Sequence, residues 1–287
     1  MSFSRLRSSG IPVEVRCGQC VGCRLSRARE WAIRCVHESY YHSAACFLTL
    51  TYDDDSLPPG GTLRKRDHQG FIRRLRMRLG PRRIRFFHCG EYGSRGLRPH
   101  YHSILFGYRF ADFEPVGESE SGHSLLRSAE LEELWPHGLA RGGELTFESA
   151  QYVAKYAVKR VTLSRSSSAE ARQKYAERYE RVCPRTGEVT EVEPEYMTCS
   201  NRPGIARRWI TEFLRDVYPR DFVVVEGRKS PPPRYYDKVL SDLDPDLYDS
   251  VKRTRLLSRD RSDDSDTRLE SMERCAVART FLHGSRE

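Results

Sequence analysis

The sequence predicts an α+β protein, and three observations carry that prediction. Cys46-Phe-Leu-Thr-Leu-Thr-Tyr52 alternates and is rich in β-formers, so it reads as a strand. Ile84 to Cys89 and His100 to Gly107 read as two more strands, separated by the turn Gly93-Ser-Arg-Gly96. Helical periodicity lies on either side of the first strand. It runs from Leu25 to Glu38, and it recurs where Phe71, Ile72, Leu75 and Leu79 share one face.

The remaining elements follow from local signals. Asp53 to Gly61 is loop chemistry, Asp67 is a candidate cap for the helix that carries Phe71, and Gly80-Pro81 stops it. Leu125 to Trp135 reads as helical, Gln151 to Arg160 as a short helix introduced by Glu148-Ser149, and Arg172 to Arg181 and Arg207 to Val217 as two more. After Pro231-Pro-Pro233 the chain becomes polar with few aromatics, and a loosely packed or disordered tail is expected there.

With 287 residues there is room for one large domain, or a domain and a tail. Lys plus Arg number 49 against 40 acidic residues, a net charge of +9, which favours a polyanionic partner. No apolar run reaches the ~18 residues of a membrane span, and Met1-Ser-Phe-Ser-Arg-Leu-Arg lacks the apolar core of a signal peptide. A cytoplasmic protein is expected. Its nine cysteines then serve as thiols or metal ligands rather than as a disulfide framework.

Positive charge concentrates between Arg64 and Arg85. That stretch holds ten Lys or Arg (64, 65, 66, 73, 74, 76, 78, 82, 83, 85) and one acid, Asp67. It is either a solvated helix face or a patch for a DNA backbone, with Arg64, Lys65, Arg66, Arg73, Arg74 and Arg76 as the candidate contacts.

Two constellations carry chemistry. In Pro99-His100-Tyr-His102-Ser-Ile-Leu-Phe-Gly107, strand geometry points residues i and i+2 to one side. His100 and His102 then project together, able to hold one divalent cation, and Tyr101 faces away. A hairpin through Gly93 to Gly96 would bring Glu91 back beside His100 as a third ligand. Mixed imidazole and carboxylate ligation suits Mg²⁺ or Mn²⁺ better than a closed zinc site. The second constellation is Gln151-Tyr152-Val-Ala-Lys155-Tyr156-Ala-Val-Lys159-Arg160. At ~100° per residue Tyr152, Lys155, Tyr156 and Lys159 share one arc, with Val153, Ala154, Ala157 and Val158 opposite. Tyrosines that share a face with lysines fit phosphoryl transfer better than core packing. A phenol ionises only near pH ~10 and needs positive charge or a base nearby to act as a nucleophile.

These segments, in this order, resemble the HUH endonucleases that start rolling-circle replication, and most closely the replication initiators of microviruses of the gokushovirus type. The resemblance rests on Cys17-Gly-Gln-Cys20-Val-Gly-Cys23-Arg-Leu with Glu30-Trp-Ala, Phe47 to Tyr52, Glu91-Tyr-Gly with Arg98 to Gly107, and Tyr152-Val-Ala-Lys-Tyr156. Asn201-Arg-Pro-Gly-Ile205 is a less specific match, and coverage runs from about residue 15 to 215. The resemblance implies the HUH fold, a central antiparallel sheet flanked by helices. It implies cleavage of single-stranded viral origin DNA, a 5′-phosphotyrosyl link and a free 3′-OH, with host DNA polymerase and helicase as partners in the bacterial cytoplasm. His100 and His102 become the metal histidines, Tyr152 and Tyr156 the nucleophile positions, and Glu91 a looser third ligand. The implied organisation is a Cys-rich segment over 1–40 packed on the core, the HUH domain over 41–217 and a variable, partly disordered tail over 218–287.

Cys17, Cys20 and Cys23, with Cys35 beyond, could hold a structural Zn²⁺, with His37 as a substitute ligand; the alternative is a set of unliganded thiols. Two other functions stay open on the residues alone. One is a non-catalytic nucleic-acid-binding module, which would have no need of paired histidines or lysine-flanked tyrosines. The other is a relaxase or transposase with the same chemistry.

Overall fold

A computed structural model describes residues 3–8, 11–16, 18, 20–93, 96–119, 122, 124–157, 168–183, 185–258 and 265–284, with the backbone alone for 3–8, 11–16, 155–157, 266 and 279–284. A hairpin of β1 (Phe3–Ser8) and β2 (Ile11–Arg16) leads into helix α1 (Val21–Ser39). Next come β3 (Ala45–Thr51), α2 (Lys65–Leu79), β4 (Arg85–Tyr92) and β5 (Pro99–Phe106). They are followed by β6 (Glu114–Glu118), β7 (Ser124–Arg127), α3 (Ala129–Leu134), β8 (Ala140–Gly143) and α4 (Phe147–Ala157). Beyond lie α5 (Ala169–Tyr179), β9 (Glu180–Val182), β10 (Val189–Glu191) and β11 (Tyr196–Cys199). Helices α6 (Arg207–Glu212) and α7 (Leu214–Val217), strands β12 (Val223–Val225) and β13 (Arg228–Ser230), and helices α8 (Arg234–Leu243), α9 (Pro245–Leu257) and α10 (Asp266–Gly284) complete the order.

One sheet organises these elements. Its seven strands run β11-β4-β5-β3-β8-β7-β6, and every pairing is antiparallel. This is the α+β architecture that the resemblance implied, an antiparallel sheet with helices on both faces. Strand alternation assigns side chains to the two faces. Leu48, Leu50 and Tyr52 of the first strand segment join Tyr101 and Leu105 against Phe71, Ile72 and Leu75 of α2, with Leu131, Leu134 and Trp135 completing that layer. On the other face Phe87, Cys89, Ile104 and Phe106 meet Ala28, Ala32 and Cys35 of α1 and Ala150, Val153 and Ala154 of α4. The small residues along α1 and α4 let both helices lie close against the strands.

Helix α2 has the apolar face its periodicity predicts, and it ends at Gly80, whose φ of 58° and ψ of −121° suit glycine alone. Its start differs from expectation. The helix begins at Lys65 with Arg64 in the capping position and no side-chain cap. Asp67 instead accepts a hydrogen bond from the Tyr52 hydroxyl at 2.6 Å, and the Tyr101 hydroxyl takes the Arg64 N–H at 2.7 Å. The Tyr101 hydroxyl thus takes one backbone N–H at the helix start, and the Tyr52 hydroxyl holds Asp67 in place.

Two further expectations are corrected. Leu125 to Arg127 belong to strand β7, paired to β6, and the helix starts only after Ser128, whose hydroxyl accepts the Leu131 N–H at 2.9 Å. The segment after Pro233, expected to be loosely packed, forms α8 and α9. Tyr236, Val239 and Leu240 are fully buried with Ile33, Ile210, Tyr218 and Val223 in a third core cluster. Arg255 closes this region by bonding both Asp221 and Asp237 at 2.6 to 2.9 Å. The polar composition hid a narrow apolar stripe at i, i+3 and i+4. Among the described residues no helix is long and apolar enough to cross a membrane.

Two outcomes follow from this third cluster. Leu240→Ala should lower stability by about 2–5 kcal/mol, the range for a buried leucine, and urea unfolding would measure it. A loss under ~0.5 kcal/mol would mean that α8 is not part of the cooperative core. His37 is 1 % exposed, bonds the Tyr236 hydroxyl at 2.7 Å and stacks on Trp209 with ring centres 3.5 Å apart. Burial lowers its pKa from the ordinary 6.5 to about 3. The folded state therefore refuses a proton that the unfolded state takes up. The stability contributed is complete above pH ~6.5 and falls toward pH 3 by up to ~1.4 kcal/mol per unit. Denaturation curves between pH 7 and 4 should show a steeper loss for the wild type than for His37→Gln; equal slopes would contradict the assignment.

Candidate active site

The register of three central strands builds the site. β5 lies between β3 and β4, so that Thr51, His100 and Glu91 stand abreast in one row, and Thr49, His102 and Cys89 in the next. These side chains all point to the face that carries α1 and α4, while Tyr101 turns to the opposite face and is fully buried there. His100 and His102 therefore project together, as the spacing predicts.

Each imidazole is held at the same atom. His100 Nδ1 lies 3.0 Å from Thr51 Oγ1, and His102 Nδ1 lies 3.1 Å from Thr49 Oγ1. His102 Nε2 is 2.9 Å from Glu91 Oε1, and these two side chains are 3 % and 2 % exposed as residues. Burial, reinforced by His102 and Arg98, lowers the His100 pKa to about 4, so its ring is neutral near pH 7. Gly93 makes room for it: a Cβ there would lie 2.7 Å from His100 Nε2.

The tyrosine helix docks beside this row. Thr146 and Ser149 cap α4 reciprocally, Thr146 Oγ1 accepting the Ser149 N–H at 3.1 Å and Ser149 Oγ accepting the Thr146 N–H at 2.8 Å. Ala150, Val153 and Ala154 bury the helix against β4 and β5, and the Cys89 thiol donates to the Val153 carbonyl at 3.4 Å. Tyr152 is left half-buried on the flank. Its ring stands edge-on to His102 with centres 5.2 Å apart, and Phe47 approaches both rings, at 6.2 and 5.9 Å. Tyr152 and the histidine pair are thus brought together across two elements distant in sequence. The side chains of Lys155 and Tyr156, and Lys159 as a whole, lie outside the described residues.

As they stand, no three His, Cys, Asp or Glu among the described residues form a ready metal-binding group. The donor set nevertheless fits a hard divalent cation. It comprises two imidazoles anchored through Nδ1, so that Nε2 faces away from β3, and a buried carboxylate at hydrogen-bonding distance from one of them.

The other sequence candidates fare differently. Helix α2 lies on the far face of the sheet from the histidines, so its charge is not part of this site. Along α2 and the turn after it, Lys65, Arg66, Arg73, Arg76 and Arg83 are exposed, and Arg64 is half-buried. Arg74 is committed to the Leu134 carbonyl at 2.9 Å, Arg78 to Glu133 at 2.6 Å, Arg82 to the Gly107 carbonyl at 2.7 Å and Arg85 to Glu38 at 2.7 Å. Arg74 thus has a protein partner for its Nε–H and is half-buried. Among the cysteines, Cys17 lies outside the described residues, and Cys20 and Cys23 sit at the start of α1. Cys35 is fully buried, its thiol pushed up by burial, and lies twelve residues beyond Cys23, ~18 Å along the helix. It cannot share an ion with Cys20 or Cys23. His37, bonded to Tyr236, is no substitute.

Sequence reasoning missed Thr49, Thr51 and Gly93. The signal for the threonines was available, since a Thr-x-Thr pair has the same two-residue period as His-x-His and needs only the register to match them. It also missed the role of Asn201 to Ala206, which α1 holds in place. Arg34 donates to the Ile205 carbonyl at 3.1 and 3.2 Å, and Glu38 accepts the Ala206 N–H at 2.6 Å.

Comparison with known proteins converges on one group. Residues 45–161, from β3 through the tyrosine helix, match the family model of the ORF2-type replication-associated proteins. The chain is 32% identical over 228 residues to replication-associated protein VP4 of Bdellovibrio phage phiMH2K, covering 77% of this chain and 65% of the relative. It is 28% identical over 238 residues to replication-associated protein ORF2 of Spiroplasma virus 4, covering 78% and 67%. Replication-associated protein ORF4 of Chlamydia phage 1 is 28% identical over 257 residues, covering 84% and 59%. The chain thus spans about two thirds or less of the length of these relatives. No solved structure matches it.

Gly93→Ala should displace the His100 ring at little cost in stability, because the obstacle is a side-chain tip rather than backbone. Imidazole resonances of His100 should move while those of His102 stay near their wild-type positions. Unchanged His100 signals would show that the ring does not lean into the space left by Gly93.

Proposed function

We propose that this chain, which belongs with the microvirus-type replication-associated proteins of the ORF2 kind, nicks the origin strand of viral DNA through a tyrosine nucleophile and a divalent metal. The observation that carries this reading is the edge-on approach of the Tyr152 ring to His102, 5.2 Å between centres, with His100 and Glu91 in the adjoining row on the same face of the sheet. A binding module would have no reason to bring a phenol to a pair of imidazoles tethered on one face of the sheet.

His100, His102 and Glu91 would hold Mg²⁺ or Mn²⁺. When bound, such an ion supplies positive charge that polarises a scissile phosphate. The chain's own residues do the rest. The Tyr152 phenol gives up its proton, and its oxygen forms a bond to phosphorus as the bond from phosphorus to the 3′ oxygen breaks. The 5′ side is left on the enzyme as a phosphotyrosyl ester, and the departing 3′ oxygen takes a proton to become the 3′-OH from which a host polymerase extends. Lys155 and Lys159, which the helical spacing of the sequence puts on the arc of the tyrosines, would lower the cost of the phenolate by adjacent charge. Tyr156, one turn along the same helix, is the second nucleophile that would rejoin the ends.

The test uses single-stranded oligonucleotides tiled across the viral genome that encodes the chain, with Mn²⁺ or Mg²⁺. The expected product is a protein–DNA adduct that survives denaturant. Tyr152→Phe combined with Tyr156→Phe should abolish it, and so should His100→Ala with His102→Ala, while both variants keep the wild-type unfolding midpoint. DNA binding with no adduct at any position would leave a non-catalytic binding module, and an adduct in the double phenylalanine variant would move the nucleophile elsewhere.

A further inference from the structure

Two threonines of β3 face the two histidines of β5 one-to-one, and both aim at the same ring atom. Thr49 Oγ1 is 3.1 Å from His102 Nδ1, and Thr51 Oγ1 is 3.0 Å from His100 Nδ1. The pairs are direct cross-strand partners, so the contacts are fixed by the register of the sheet rather than by rotamer choice. On the other side of β5 the Nε2 edge of each ring turns toward β4: His102 Nε2 to Glu91 Oε1 at 2.9 Å, and His100 Nε2 into the space beside Gly93.

Resting on the metal-dependent reading above, we infer that Thr49 and Thr51 are positioning residues that hold the two imidazoles at Nδ1 in whichever tautomer the ring adopts, leaving Nε2 as the atom that would be offered to a divalent cation. The chemistry of a hydroxyl is what makes this work. It is donor and acceptor at once, whereas a carbonyl or carboxylate only accepts. With Nε2–H of His102 donating to Glu91, the Thr49 hydroxyl donates to Nδ1. With Nε2 given to a cation, the ring proton would sit on Nδ1 and Thr49 Oγ1 would accept it, so the one hydroxyl serves either tautomer. A carboxylate in place of the threonine would favour a charged imidazolium, and an alkyl group would leave Nδ1 buried without a partner. A purely structural role would need neither the repetition nor the shared atom. Threonine, being β-branched, suits the strand, but valine would suit it equally.

Calorimetric titration of the full chain with MnCl₂ separates these roles. Thr49→Val and Thr51→Val, which keep shape and strand preference, should each weaken Mn²⁺ binding by about 10–100-fold. Thr49→Ser and Thr51→Ser should bind close to wild type, because they restore the hydroxyl without the methyl. In ¹⁵N spectra of the wild type saturated with Mg²⁺, the protonated nitrogen of both rings should be Nδ1. Valine variants that bind Mn²⁺ like the wild type would overturn the inference, as would serine variants that lose as much as valine, or rings that remain protonated at Nε2. His100→Ala with His102→Ala serves as the reference. If that variant binds Mn²⁺ as well as the wild type, the metal site itself falls and this role with it; if it loses binding while the valine variants keep it, only the role of the threonines is lost.

Discussion

Antiparallel register is the constraint from which the rest of this molecule descends. A strand presents side chains with a period of two, so sliding β5 by one residue against β3 would turn His100 and His102 into the apolar layer under α2 and bring Tyr101 to the other side. The burial of Leu48, Leu50, Tyr101 and Leu105 on one face forbids that slip. The hydrophobic effect on the far face thus fixes polar chemistry on the near one, and the same register aligns Thr49, Thr51 and Glu91 with the histidines. Precision at the site comes from residues that never touch it.

Much of this was legible in the chain because the signals were periodic and local. His-x-His in a strand, an amphipathic helix under Phe71 and Leu75, and a glycine at its end each follow from geometry over a few residues. Glu91 was found because a hairpin returns it to a known place. What escaped depended on pairing across longer separations. Asp67 looks like a cap in sequence, and only the fold reveals Tyr52 as its partner. Thr49 and Thr51 carry no meaning until β3 is laid beside β5. Leu125 to Arg127 satisfy helical and strand patterns equally over so short a run, and the neighbouring β6 and β8 decide the matter.

Composition misled in two places. The charge between Arg64 and Arg85 is one block in sequence, but folding divides it. Arg74, Arg78, Arg82 and Arg85 spend their guanidinium groups on protein partners, while Lys65, Arg66, Arg73 and Arg76 stay on the surface. After Pro233 the scarcity of apolar residues suggested a disordered tail, yet three of them at helical spacing are enough to complete a core when the opposing surface is already apolar. A count of residue types carries no information about which of them share a face.

Helix α1 touches both regions at once. One side, through Ala28, Ala32 and Cys35, supports the helix that bears Tyr152; another, through Ile33, joins the cluster that α8 completes. Arg34 reaches between them, flanked by Trp31 and Tyr235 at 3.9 and 4.0 Å while it bonds the Ile205 carbonyl. The helix therefore behaves as an axle with a load at each end. Trimming the α8 region would thus loosen the helix against which the segment bearing Tyr152 is packed.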